Sequence, residues 1–231
     1  MDQEVKRFWK KAEAVPAEGG FGIYLDERPL KTPARATVIV PTAVLAEAIA
    51  AEWNASGETI TPAEMPLTGL ANAAVDRVDA DLLGSIARFG ENDLTCYRAE
   101  GPAPLVERQE EAWDALLAWA RARYDVVFAT CSGVVHVPQP PRTIRRLNDA
   151  LRALDPFRLA AMAPLVTISG SLVAGLAVLE QAMPADSVWE AVSLDESWQL
   201  EQWGADAEAE AALEARRRDF MAAAAFLDLL N

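Results

Sequence analysis

The spacing of apolar residues changes at Pro41, and this change constrains the fold of the 231-residue chain more than any other feature. Before Pro41, short β-branched and aromatic runs are separated by turn residues at Glu18–Gly20 and at Asp26-Glu27, which is typical of strands joined in hairpins. After Pro41, apolar residues recur every three or four positions, which is typical of amphipathic helices. We therefore predict an α+β fold, with a small β-rich N-terminal domain followed by a larger all-α helical domain.

The predicted domain boundary lies near residue 75. Residues 1–75 are expected to form the β-rich domain with one helix, and residues 76–231 to form the all-helical domain. In the helix that opens at Pro41, apolar side chains one turn apart predict a buried stripe, and a similar pattern predicts a buried Trp in a later helix. The predicted core positions are Leu45, Ile49, Trp53 and Trp113.

An uncharged run from Leu159 to Leu179 is long enough, at 21 residues, to span a bilayer. Pro164 and a polar cluster at Thr167–Ser171 interrupt the run, and no aromatic belt of the kind found at a membrane interface flanks it. A helical region buried on all sides gives the same pattern. We predict that the run is buried in the helical domain and is not inserted in a membrane.

Acidic residues outnumber basic ones 35 to 21, which gives a formal net charge of −14. Most of this charge lies beyond Ile60, in the long C-terminal part. Such a surface repels phosphate backbones and anionic lipid headgroups, so we expect no nucleic-acid partner and no role at a membrane surface.

Motifs for catalysis or cofactor binding are weak. Gly19–Gly22 lacks the spacing and the following helix of a nucleotide-binding loop, and His136 with two cysteines shows no metal-ligand spacing. We expect no cofactor, no metal and no nucleotide, with His136 structural and with Cys96 and Cys131 free and buried. Carboxylate pairs such as Glu91 with Asp93 leave a small hydrolase open as an alternative, although the prediction is that the protein is not an enzyme.

The segment from Glu180 to Glu214 contains ten acidic residues and no basic residue, interrupted by Trp189, Trp198 and Trp203. One interpretation is a solvated acidic helix whose Trp side chains are buried in the core. The other is a partner surface, where aromatic anchors surrounded by carboxylates meet a basic or apolar patch. The sequence leaves both interpretations open.

Several segments, in this order, resemble the assembly factor 2 family of ATP synthase, whose members are chaperones for building the catalytic F1 head. The segments are Arg7–Lys11 with Leu25–Pro33, Pro66–Asp76, Asp93–Ala99, Thr167–Leu172, and Leu194–Gln199 with Trp203-Gly204. Two departures are Trp198, where the family usually has Tyr, and the missing long presequence of mitochondrial members. No apolar stretch of a secretory signal follows Met1.

The resemblance implies an ATP-independent assembly chaperone that binds the free alpha subunit of the F1 head and prevents its aggregation before alpha and beta assemble. It also implies a cytoplasmic location in a bacterium and a mitochondrial matrix location for eukaryotic relatives. A stable adaptor subunit of the finished complex is a further alternative. Combined with the acidic Trp-bearing segment, the resemblance predicts partner contacts at Glu196, Trp198, Gln199, Glu201 and Trp203.

Overall fold

A small antiparallel sheet forms where the sequence predicted hairpins. The computed structural model describes residues 6–204 and 206–231. Both tight turns of the sheet place a residue at positive φ, Gly19 at +84° and Asp26 at +54°, as two-residue hairpin turns require. The strands are β1 (Ala12–Ala17), β2 (Gly20–Leu25), β3 (Arg28–Pro29) and β4 (Ile39–Val40). Both β3 and β4 pair with β2, opposite different residues of that strand.

Two helices accompany the sheet, α1 (Ala43–Ala55) and α2 (Pro66–Asp76). The Thr42 side chain caps α1 by accepting a hydrogen bond from Leu45 N, and Leu45, Ile49 and Trp53 are buried. The prediction of one helix in residues 1–75 is therefore wrong. Pro66 is well tolerated at the first helical position, so α2 begins there and extends past residue 75.

The Glu52 carboxylate joins these two helices. Its oxygens accept hydrogen bonds from Leu67 N at 2.7 Å and from the Thr68 N and Oγ1 atoms at 2.8 and 2.7 Å, where α2 begins. A carboxylate at a helix N-terminus satisfies free N–H groups and opposes the positive end of the helix dipole. Trp53 Nε1 donates to the same Thr68 Oγ1 at 3.1 Å, which connects the buried stripe of α1 to α2.

The remaining helices follow from residue 80 onwards. They are α3 (Ala80–Ala87), α4 (Ala103–Tyr124), α5 (Pro141–Arg152), α6 (Pro156–Ser169), α7 (Leu172–Leu179), α8 (Ala185–Val192), α9 (Leu194–Trp203) and α10 (Ala207–Asp228). Short 3-10 turns lie at Pro62–Glu64, Arg88–Gly90 and Leu94–Cys96. The α+β fold, with a sheet near the N-terminus and a larger helical part after it, is confirmed.

Residues 76–231 also contain a short parallel strand pair, so this part of the chain is not all-helical as predicted. The strands are β5 (Tyr97–Arg98) and β6 (Cys131–Ser132). Gly133 N donates to Arg98 O at 2.8 Å, and the Gln139 side-chain amide bonds both N and O of Ala129, which holds the loop that contains β6.

The chain divides into two units, of which the first contains the described residues up to Val78 and the second begins at Asp79. The first unit also includes Asp155–Ala161 and Ala225–Asn231. Within that unit, the Thr42 hydroxyl donates to Leu229 O at 2.5 Å, and Arg158 donates to Asn231 Oδ1 at 3.1 Å.

The apolar run Leu159–Leu179 is divided between α6 and α7. Gly170 ends α6 at φ +68°, and the Ser171 hydroxyl caps α7 by accepting from Ala174 N. Among the described residues, no helix combines the length and apolar character needed to cross a bilayer.

Both cysteines are free, but only Cys96 is buried as predicted. Burial raises the pKa of the Cys96 thiol to about 12. Cys131 lies in the exposed loop with β6 and is half-buried, so the prediction of a buried thiol is wrong there. His136 is exposed, and its Nδ1 lies 2.7 Å from Asn92 Oδ1.

Candidate interaction surface

Asp93 carries a fully buried carboxyl group in the second unit. Its Oδ1 atom accepts from Thr95 N, Thr95 Oγ1 and Ser171 Oγ at 3.1, 2.7 and 2.7 Å, and its Oδ2 atom accepts from Val173 N at 2.9 Å. Burial raises its pKa, and the hydrogen bonds oppose that shift. Glu91 is exposed whereas Asp93 is fully buried, so the two do not form an accessible acid and base pair.

Arg98 packs against Trp113, which in turn contacts α8. The Arg98 guanidinium is nearly buried, lies 5.1 Å from the Trp113 ring centre and donates to Asp114 at 2.6 Å. Trp113 is 1% exposed, and its Nε1 atom donates to Ala191 O at 2.7 Å. Trp113, one of the predicted core residues, is therefore buried and also hydrogen-bonded, as the N–H group of a buried indole requires.

Gln109 connects α4 to α9. Its Oε1 atom accepts from Ala99 N at 2.7 Å, and its Nε2 atom donates to Asp195 Oδ1 at 2.6 Å. Gln109 is 1% exposed, and its bond to Asp195 connects α4 to the first turn of α9. Asp195 and Glu196 in that turn also favour the helix dipole.

Every residue of α9 keeps part of its surface exposed. The helix carries all five predicted partner residues, and they differ in environment. Glu196 and Trp198 are half-buried, whereas Gln199, Glu201 and Trp203 are exposed. Trp203 is 79% exposed, so the interpretation that places its side chain in the core is wrong. Trp189 on α8 is the buried one, with its ring centre 5.5 Å from that of Phe220.

Both predicted partner carboxylates are paired with arginines within the chain. Arg216 donates to Glu196 at 2.8 Å, and Arg108 donates to the two oxygens of Glu201 at 2.8 and 3.1 Å. The Arg108 guanidinium also lies 4.9 Å from the Trp198 ring centre. The sequence did not predict these two ion pairs, because the arginines lie 20 and 93 positions from their partners.

Three clefts surround α9. The first, of about 370 Å³, has Gly101, Pro102 and Leu105 on one side and α9 on the other. The second, also about 370 Å³, lies between α9 and α10, and the third, about 650 Å³, is bordered by residues of α4, α8, α9 and α10. Trp203 lines both the first and the second cleft, so its exposed indole separates two concave surfaces.

The arrangement around α9 has the features of a binding surface. Within residues 6–204 and 206–231, no three His, Cys, Asp or Glu side chains are grouped closely enough to hold a metal ion. The exposed groups of α9 are an indole, amides and paired carboxylates, which recognise partners by packing, hydrogen bonds and charge.

Comparison with known proteins agrees with this interpretation. The sequence model of the ATP12 chaperone protein family matches residues 6–121, half of the chain. The chain belongs to the ATP12 chaperone family. This confirms the resemblance seen in the sequence, and it makes the protein an assembly chaperone of ATP synthase and not an enzyme.

Relatives of this ATP12-family chain cover most of its length. Protein atp12, mitochondrial, from Schizosaccharomyces pombe is 27% identical over 214 residues, which are 86% of this chain and 74% of the relative. The crystal structure of Atp12 from Paracoccus denitrificans is 39% identical, with 98% of each chain covered and a TM-score of 0.92. An aspartate-to-lysine mutant of the Paracoccus protein is 38% identical, with a TM-score of 0.93 over 99% of this chain and all of that one.

Proposed function

We propose that this ATP12-family protein binds the free alpha subunit of the F1 head of ATP synthase and keeps it from aggregating until the beta subunit replaces it. The observation that carries the proposal is Trp203, which is 79% exposed between two clefts on an acidic helix. A large exposed aromatic side chain beside concave surfaces is typical of an anchor residue in a protein interface.

The charge around Trp203 supports an interaction with a basic and apolar partner surface. The segment Glu180–Glu214 contains ten acidic residues without a base, and Glu196 and Glu201 lie on the same helix as the indole. Carboxylates at the rim of an interface accelerate encounter with a positive surface and disfavour negative ones. Glu196, Trp198, Gln199, Glu201 and Trp203 remain our proposed contacts for the alpha subunit.

Capture and release by this protein need no nucleotide. A chaperone that covers the assembly surface of alpha stabilises the free alpha subunit by mass action. The beta subunit displaces the chaperone because beta binds the same surface of alpha more tightly. Isothermal calorimetry should therefore detect no micromolar binding of ATP to the purified protein. We further propose that the protein acts in the bacterial cytoplasm, where the alpha subunit is made.

Co-expression with the alpha subunit of the same organism tests the proposal. Size-exclusion chromatography should show both proteins in one peak, and adding beta should move alpha into an alpha–beta complex and release the chaperone. Alpha that remains aggregated in the presence of the protein would contradict the proposal. A protein present at full stoichiometry in the purified synthase would favour the stable adaptor subunit instead.

A further inference from the structure

Arg108, a residue of α4, already contacts the part of α9 that a basic partner would contact. Its guanidinium group donates to both oxygens of Glu201 and lies over the Trp198 ring. Arg108 and Glu201 are each 50% exposed, so this ion pair is open to solvent. The free protein therefore shows how its own surface receives a guanidinium group, by a carboxylate on one side and an indole face on the other.

The position of Arg108 matters as much as its chemistry. Arg108 lines the cleft of about 650 Å³ bordered by α4, α8, α9 and α10, whereas Trp198 lines the cleft of about 370 Å³ beside Pro102. The contact between Arg108 and Trp198 therefore connects the lining of one cleft to the lining of the other. A side chain that replaced Arg108 over Trp198 would stand next to the exposed Trp203, which lines the cleft with Trp198.

We propose that the client segment recognised by α9 carries an arginine next to an apolar residue. The client arginine displaces Arg108 from Glu201 and Trp198, and the apolar residue enters the cleft between Pro102 and Trp203. This inference rests on the proposed function, because it specifies which chemistry of the client the same surface recognises. An arginine suits the site better than a lysine, since a planar guanidinium stacks on an indole while it donates to a carboxylate.

Charge complementarity supports this occupant. The acidic segment Glu180–Glu214 attracts a positive client, and Arg108 from α4 neutralises one of its carboxylates in the free protein. Arg108 consequently competes with the client within the molecule. When the client leaves, Arg108 returns to Glu201 and Trp198, so the free protein recovers the ion pair that the client had broken.

Replacing Arg108 should therefore strengthen capture, whereas replacing a residue that binds the client would weaken it. The assay dilutes denatured alpha subunit into buffer and measures the chaperone concentration that keeps half of it soluble. For Arg108→Ala this concentration should fall by about three- to tenfold, the range that corresponds to one exposed ion pair with one exposed cation–π contact. Arg108→Lys should give a smaller fall.

Arg142→Ala is the matched control. Arg142 is exposed on α5 and pairs with Asp125, so its replacement removes the same charge and one exposed ion pair away from α9. It should leave the concentration unchanged. An equal gain from both variants would show a general charge effect and overturn the inference, as would an unchanged or weaker capture by Arg108→Ala. A wild-type protein that fails to keep alpha soluble would instead overturn the proposed function itself.

A peptide competition tests the arginine directly. A capped tripeptide with arginine between two leucines is added to the Arg108→Ala protein in the same assay, and a glutamine version serves as its control. The arginine peptide should reduce protection of alpha at a lower concentration than the glutamine peptide does. Equal competition by the two peptides would remove arginine from the client chemistry.

Discussion

The Asp93 carboxylate accepts a hydrogen bond of 2.7 Å from the Ser171 hydroxyl, across 78 positions of sequence, and both residues are fully buried. The same carboxylate accepts from Val173 N at the start of α7. Two of the segments that carry the family resemblance therefore meet at one buried carboxyl group. Such a group is tolerated in the interior where hydrogen bonds and a helix N-terminus compensate for the lost water.

Asp93→Asn should destabilise the protein, although it replaces only one non-hydrogen atom. Asparagine keeps one acceptor oxygen and replaces the other by an NH₂ group, so a donor faces either Val173 N or the hydroxyls of Thr95 and Ser171. We expect a loss of about 3 kcal/mol in the free energy of unfolding, measured by urea denaturation.

Glu91→Gln is the control for this substitution, because Glu91 is an exposed carboxylate two positions away. It should change the free energy of unfolding by less than about 0.5 kcal/mol. Equal stability of Asp93→Asn and Glu91→Gln would contradict the view that Asp93 organises the buried junction.

Trp113 and Trp203 should respond in opposite ways to truncation. Trp113 is 1% exposed and bonds Ala191 O, so Trp113→Ala should lower the free energy of unfolding by roughly 3–5 kcal/mol. Trp203 is 79% exposed, so Trp203→Ala should leave the thermal midpoint near that of the wild type and reduce protection of alpha. A Trp203→Ala variant that protects alpha normally would remove the indole from the proposed contacts.

How far the sequence predicted the structure depends on how far apart the interacting residues are. Asp26 could be placed in a hairpin turn, and Leu45 on a buried stripe, because turn chemistry and helical spacing act over a few residues. The pairing of β5 with β6 was not predicted. It depends on Gln139 bonding Ala129 and on Gly133 reaching Arg98.

The candidate surface shows the same limit. The acidic and aromatic composition of α9 could be read from the sequence, but it left open whether the Trp side chains are buried or exposed, and in the structure Trp203 is exposed. The arginines that neutralise Glu196 and Glu201 could not be assigned, because ion pairs between different helices depend on tertiary packing. The sequence also could not show that Trp189 is buried and Trp203 exposed, because this depends on which face of each helix packs against the rest of the protein.

The Asp26 turn should make stability depend on pH. Hydrogen bonds from Lys11 N and Lys10 N hold the pKa of Asp26 below its ordinary value of 3.8. A depressed folded-state pKa means that the ionised group stabilises the fold above pH 3.8 and that this stabilisation is lost as the pH falls through the folded pKa.

Asp26→Asn isolates this contribution, because asparagine also tolerates the positive φ of the turn. The variant should be less stable than the wild type near pH 7, and the difference should be smaller at about pH 2.5, where more of the wild-type carboxyl is protonated. Urea midpoints at the two pH values measure it. A difference of the same size at both would show that the charge of Asp26 does not stabilise the turn.

Charge reversal on α9 tests the proposed contacts without disturbing the core. Glu196 and Glu201 form exposed or half-exposed ion pairs, and such pairs contribute less than about 1 kcal/mol to stability. Glu196→Lys and Glu201→Lys should therefore melt within a few degrees of the wild type. A lysine at either position repels a basic client, so both variants should protect alpha poorly.

Glu47→Lys provides the comparison, since Glu47 is an exposed carboxylate on α1 and its reversal changes the net charge by the same amount. Thermal melts and the alpha solubility assay are run on all three variants. Loss of protection confined to the two α9 variants would support this helix as the contact surface, because the general effect of charge is the same in all three. Normal melting together with normal protection by Glu196→Lys and Glu201→Lys would exclude these carboxylates from the interface.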